Sequence, residues 1–141
     1  MQGEYWVEVV GDMIVARLRG QPTIDLLTRC HLEVTELARE SGKTGVLYDV
    51  LEMMAPEVDV PLAQRHLDAS TDIKLKRAIV VPNTRLAYLA RLAFGDGDYR
   101  VFYNDIAAST AWLAGARLLA EMPSTLGSQP AANAPLTAER V

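Results

Sequence analysis

Arg77-Ala-Ile-Val-Val-Pro-Asn-Thr84 decides how the chain is read. Four apolar residues, three of them β-branched, follow Arg77 without alternation, the pattern of a strand covered on both faces. Pro82 cannot continue a ladder, and Asn83 or Thr84 can cap a helix carrying Leu86, Leu89, Ala90 and Ala93 on one stripe. A buried strand leading directly into an amphipathic helix is half of a parallel βαβ unit.

The same unit recurs on both sides. Downstream, Gly95-Asp-Gly-Asp98 reads as a turn, Tyr99–Tyr103 as a strand, and Asn104 or Asp105 as the cap of a last helix running to about Met122. Upstream, Val46-Leu-Tyr-Asp-Val50 reads as a strand. After it, Glu52 to Val60 is a loop, and a short helix runs from Asp59 or Val60 to about Ser70 with Leu62, His66 and Leu67 inward. Before that strand, Pro22 and Thr23 introduce a helix whose stripe is Leu27, Cys30, Val34, Leu37 and Ala38, with Gly42 free for a left-handed C-cap. Tyr5–Val10 and Met13–Leu18 flank Gly11-Asp12, a two-residue hairpin signal of type II′. The order ββαβαβαβα predicts an α/β fold: a mainly parallel five-stranded sheet opened by an antiparallel hairpin. Right-handed crossovers put the helices mostly on one face. Trp6, Val10, Met13 and Val15 then add apolar groups to the other face, which predicts a cover for it, a second subunit being the simple candidate.

Composition narrows the function. The chain has 141 residues, 50% apolar and 23% charged, with a net charge of −4. That length predicts one domain, residues 1–122, followed by a flexible tail, 123–141, whose three prolines and small residues cannot offset their ordering entropy. A single cysteine allows no intrachain disulfide and fits a reducing cytoplasm. The first residues carry no signal-peptide pattern, no apolar run reaches a membrane span, and the acidic balance weighs against nucleic acid as partner.

The element order and certain residues resemble the SpoIIAA-like domains, the fold shared by the bacterial anti-sigma-factor antagonist (STAS) domains and the lipid-binding CRAL-TRIO domains. The resemblance covers about residues 4–117. It rests on the hairpin, on Val46–Val50, on Arg77–Val81, and above all on Tyr99-Arg-Val-Phe-Tyr-Asn-Asp-Ile-Ala-Ala-Ser-Thr-Ala-Trp-Leu113, similar to the ending of many small bacterial members. It implies partner binding. The family's phosphorylatable serine or threonine after the third strand has no counterpart, because Val50-Leu-Glu-Met-Met-Ala-Pro56 carries no hydroxyl and the nearest downstream are Ser70 and Thr71.

The chemistry-bearing residues are few. Asp49 and Glu52 close a parallel strand, where open α/β sheets place ligands, and two carboxylates can serve as acid and base; solvation and helix capping account for them as simply. Met53 and Met54, adjacent in a loop, suit an adaptable partner surface. With Asp49 and Glu52 they form the expected partner-binding group, and Trp6, Met13 and Val15 the expected dimer face. His31 and His66 lack metal-ligand spacing, and Cys30 sits mid-helix on the core stripe, so neither a metal nor a cofactor is expected. Lys74, Lys76, Arg77, Arg85, Arg91 and Arg100 form a basic scatter that reads as a solvated face. The reading is a non-enzymatic, cytoplasmic interaction module binding a protein partner, with a homodimer included. The alternative is a small carrier of an apolar or acyl ligand, which requires a cavity near Leu62, Leu67, Leu86 and Leu89.

Overall fold

The computed structural model describes residues 2–95 and 97–121, of which 116–121 by backbone alone. The predicted tail, 123–141, and the turn residue Asp96 lie outside the described residues. The elements follow the order β1 (Glu4–Val10), β2 (Met13–Gly20), α1 (Ile24–Ser41), β3 (Gly45–Met53), α2 (Asp59–Ala69), β4 (Lys76–Val81), α3 (Thr84–Phe94), β5 (Asp98–Tyr103) and α4 (Ile106–Glu121). The strands form one sheet in sequential order β1-β2-β3-β4-β5, with β1 antiparallel to β2 and every other pair parallel.

Local chemistry explains the boundaries. Gly11 adopts φ +60° in the hairpin loop while Asp12 does not enter positive φ, the II′ arrangement. Thr23 accepts from the Leu26 N–H at 3.0 Å, and Asn83 from the Leu86 N–H at 2.9 Å, so both helices start on a side-chain cap. Asp105 does the same for α4, accepting from Ala108 N–H at 2.9 Å. Gly42, at φ 75°, closes α1 by donating to Ala38 O.

The helices divide three to one between the faces of the sheet. On the first face α1 and α3 bury Leu26, Cys30, Val34, Leu86 and Leu89 against Ile14, Ala16, Leu18, Val46, Tyr48, Ile79 and Val81. On the second, α4 lays Leu113 and half-buried Trp112 against Leu47, Ala78, Val80 and Phe102. The handedness rule governs a helix between two parallel strands; among the described residues no strand follows α4, and the rule does not hold it to the first face. This resolves the unbroken apolar run of β4: Ile79 and Val81 face one layer, Ala78 and Val80 the other. The chain itself thus supplies the cover for the second face over β3, β4 and β5, and among the described residues nothing covers the β1–β2 half.

Two expectations need correction. α2 does not turn Leu62 and His66 inward; both are exposed, and its buried residues are Val60, Pro61 and Gln64. The helix packs mainly on α3 and α1, and two polar pairs set its rotation: Gln64 with His31, and Asp68 with Arg77. Arg77, grouped with the solvated basic residues, is buried in that second pair beneath the Phe94 ring, 4.9 Å from its centroid. Lys76 stays nearer the surface, between Asp98 and the Trp112 ring.

β3 also runs three residues further than its apolar run suggests. Arg17 pairs with Asp49 but Arg19 with Glu52, a bulge that places one extra residue on β3 and interrupts its alternation. Tyr48 and Val50 face the first layer, Leu51 the second, and Met53 the first again.

Candidate functional site

The bulge separates the four residues expected to bind a partner together. Asp49 and Glu52 lie on the second face. Met53 is the last strand residue and packs in the first-face core, and Met54 projects into solvent at 48% exposure, its N–H donating to Gly20 O at 2.9 Å. The structure therefore offers two candidate sites on opposite faces.

The second-face site is the β1–β2 half of the sheet, which nothing among the described residues covers. The hairpin register sets Trp6 beside Arg17, Glu8 beside Val15 and Val10 beside Met13, so all six share one surface. Trp6 is 46% exposed and Val10 44%. Met13 and Val15, half-buried, lean against the α4 layer and join the two halves. The Arg19 guanidinium lies 5.1 Å from the Trp6 ring centroid, 2.9 Å from Glu4 Oε2 and 3.7 Å from Glu52 Oε1. Beside it Arg17 Nε donates to Asp49 Oδ2 at 3.2 Å, and Asp49 Oδ1 accepts from the Leu51 N–H. Asp49 is buried and both its oxygens are engaged. A shallow groove runs between Trp6, Glu8, Val15, Arg17, Arg19 and Glu52; it includes one of the two carboxylates considered for acid–base work but not Asp49. The expected dimer residues Trp6, Met13 and Val15 thus share one surface, and Trp6 and Val15 line a groove with Glu52, away from Met53 and Met54.

The first-face site is a cavity of about 70 Å³ beneath α1, α2 and α3, toward the C-terminal ends of β2 and β3. Leu18, Val50, Met53, Ile79, Leu86, Leu89 and Phe94 line it, with no charged side chain among its walls. Leu62 and Leu67 are not lining residues, because of the rotation of α2. Its polar wall is His31 and Gln64. Thr71 Oγ1 donates to Leu67 O, so its oxygen accepts from His31 Nε2 at 2.7 Å, and His31 Nδ1 is left to accept from Gln64 Nε2 at 3.3 Å. That assignment makes His31 a neutral, tautomer-locked core histidine. Cys30 also lines the cavity, and burial pushes its thiol up to about 12.

His31 gives the fold a pH dependence. Burial is the main cause that lowers its pKa below the usual 6.5, opposed by Asp68 and aided by Arg77 and Arg39. The neutral ring favours the folded state, so this stability is fully present above pH 6.5 and is lost as pH falls through the folded value. The fall in urea midpoint from pH 7 to pH 5 is therefore expected to be smaller in His31→Gln than in the natural protein; equal falls would remove His31 from the account.

The two methionines should behave differently. Met53→Asp places a charge in the core wall and is expected to lower stability by about 2–4 kcal/mol, whereas Met54→Asp stays within about 0.5 kcal/mol. Chemical denaturation of the two single variants checks this, and equal midpoints would contradict the assignment of Met53 to the core.

Among the described residues, no three His, Cys, Asp or Glu side chains are arranged to hold a metal ion, and no helix is long and apolar enough to cross a membrane. No protein-family model matches the chain, and no curated protein does. Among solved structures it is similar to an uncharacterised protein of the DUF3478 family with a SpoIIAA-like fold from Shewanella loihica PV-4. The TM-score is 0.55 at 20% identity, over 79% of this chain and 93% of that one. The element order, the mixed sheet and this likeness establish a SpoIIAA-like fold.

Proposed function

We propose that this SpoIIAA-like chain is a non-enzymatic, STAS-like interaction module that docks a protein partner on the bare β1–β2 half of its second sheet face. The observation that carries the reading is Trp6. A large aromatic ring stands half exposed on a rigid strand, with Val15 diagonally across the hairpin and Arg17, Arg19, Glu8 and Glu52 around it, and Val10 and Met13 continue the apolar face beyond Glu8. An exposed apolar centre with a charged rim is the anatomy of a protein interface, and Trp and Arg are the residues that most often anchor one. A second copy of the chain is one candidate partner. The module lacks the hydroxyl switch of the antagonist domains: α2 begins on Val58 without a side-chain cap, and Thr71, at the far end, is engaged by His31 and Leu67. A cytoplasmic location stays part of the reading, since Cys30 is buried and has no second cysteine to join.

A photo-crosslinking amino acid at position 6 tests it in producing cells, against the same group at exposed Leu32 on α1. A discrete adduct from position 6 and none from position 32 is expected, and its mass tells a second copy from another protein. No adduct at position 6 would sink the proposal.

A second reading has its own observation. The cavity against His31 and Gln64 suits a small, mostly apolar ligand of the kind a carrier binds, and its charge-free walls disfavour burying a carboxylate there. At about 70 Å³ it is well below the volume of an extended acyl chain unless α2 moves. Native mass spectrometry tests this: an excess over an integer number of chains, lost on denaturation, supports a carrier, and bare chains count against it.

A further inference from the structure

The β1 edge has features that the bare face alone does not explain. β1 is an outer strand of seven residues, paired with β2 without interruption, and it carries no proline, lysine or bulge. Those are among the devices that stop an edge from recruiting another strand; the charges β1 does carry, Glu4 and Glu8, are both acidic and oppose an acidic strand rather than a basic one. The two-residue loop makes Val10 and Met13 a hydrogen-bonded pair, and alternation then turns the backbone N–H and C=O groups of Tyr5, Val7 and Val9 outward. Three donors and three acceptors thus lie in register along an edge that no other strand among the described residues pairs with.

Acidic side chains flank that edge on both faces. On the first face the Tyr5 hydroxyl donates to Glu33 at 2.9 Å and the Arg29 guanidinium lies 5.9 Å from the Tyr5 ring, which places this row of α1 over β1. Helical spacing continues the row through Glu36 and Glu40, both exposed. On the second face β1 itself presents Glu4 and Glu8. Arg29 pairs with Asp25 and Arg19 with Glu4, and among the described residues no cation pairs with Glu8, Glu36 or Glu40.

We propose that the β1 edge, between the acidic row of α1 and Glu8, is the docking site for an extended basic segment of a partner protein, added to the sheet as a sixth strand. The backbone edge supplies affinity and the acidic flanks choose lysine or arginine at alternate positions. A second copy fits this edge poorly, because pairing two β1 strands about a two-fold axis brings the Glu33, Glu36 and Glu40 rows together. The inference rests on the interaction-module reading and names the kind of partner.

The probe is a fluorescein-labelled peptide alternating lysine and valine, titrated against the full chain by anisotropy and compared with the same peptide carrying glutamate for lysine. The lysine peptide is expected to bind at least about tenfold more tightly, and Glu36→Gln with Glu40→Gln to weaken it by up to about tenfold at an unchanged unfolding temperature. Val9→Pro removes an outward N–H but no ladder bond, and is expected to weaken binding about tenfold. A lysine peptide N-methylated at alternate residues is expected to lose binding whether or not Val9→Pro folds. Equal affinity of the lysine and glutamate peptides, or full retention on N-methylation, overturns the proposal. Adducts at position 6 with no peptide binding would remove the edge and leave the interaction module standing.

Discussion

Replacing Asp68 with alanine is expected to destabilise the fold by about 3–5 kcal/mol, because it leaves a buried guanidinium without its counter-ion. The Arg77 side chain is 5% exposed and that of Asp68 11%. Arg77 otherwise meets the Phe94 ring, the Tyr48 side chain and Leu75 O at 3.5 Å, and its Nε is buried with no hydrogen-bond partner among the described residues. The pair joins α2 to β4 and so holds the helix that contributes Pro61 and Gln64 to the cavity wall. Urea unfolding measures the loss. Arg77→Met combined with Asp68→Leu should recover most of it, since an apolar pair of similar size carries no desolvation cost. A secondary readout is Cys30, whose buried thiol should react faster with a thiol reagent as α2 loosens in Asp68→Ala. A cost below about 1 kcal/mol would mean that water reaches and screens the pair, and the assignment of Asp68 as the anchor of α2 would fail.

Ile79→Ala is expected to cost about 2–5 kcal/mol and to enlarge the cavity, the most direct probe of the carrier reading. Ile79 is 2% exposed at the centre of the first-face core and lines the cavity. The loss combines the transfer free energy of the deleted carbons with the void they leave, since the surrounding strands and helices collapse only in part. A small apolar probe such as benzene should then raise the unfolding temperature of the variant more than that of the natural protein, because an apolar void stays dry and binding to the folded state adds stability by mass action. A comparable rise in the natural protein would show that the cavity already accepts such a molecule. No rise in either, with a loss near the lower bound, would mean that the void closes and that the core is a packing solution only.

The common surface of Trp6, Met13 and Val15 was legible in the sequence, and the separation of Asp49 and Glu52 from Met53 and Met54 was not. Trp6, Met13 and Val15 share a surface because alternation and a two-residue turn dictate it, and both are local properties. Asp49, Glu52, Met53 and Met54, adjacent in sequence, part because a bulge against β2 breaks the alternation. Nothing between Val50 and Pro56 marks that bulge, since it arises from the register between two strands. His31 and Gln64, 33 positions apart, meet only through the packing of α2 on α1. A polar residue on an otherwise apolar helix stripe was the one available sign of His31.

The described elements, their order, the Gly42 cap, the hairpin type and the parallel character of the sheet were all readable from the chain, which narrowed the α3 and α4 caps to neighbouring pairs. Those features depend on side-chain periodicity, φ preferences and caps within a few residues. The side to which α4 crosses, the rotation of α2, the burial of Arg77 and the lack, among the described residues, of a cover over the β1–β2 half came from long-range packing alone. Each is settled by which distant surface a stripe finds, and a local period is the same whichever surface that is. α4 could lie on either side of the sheet with the same pattern. Its choice of side covers half of the second face and leaves Trp6 exposed on the other half.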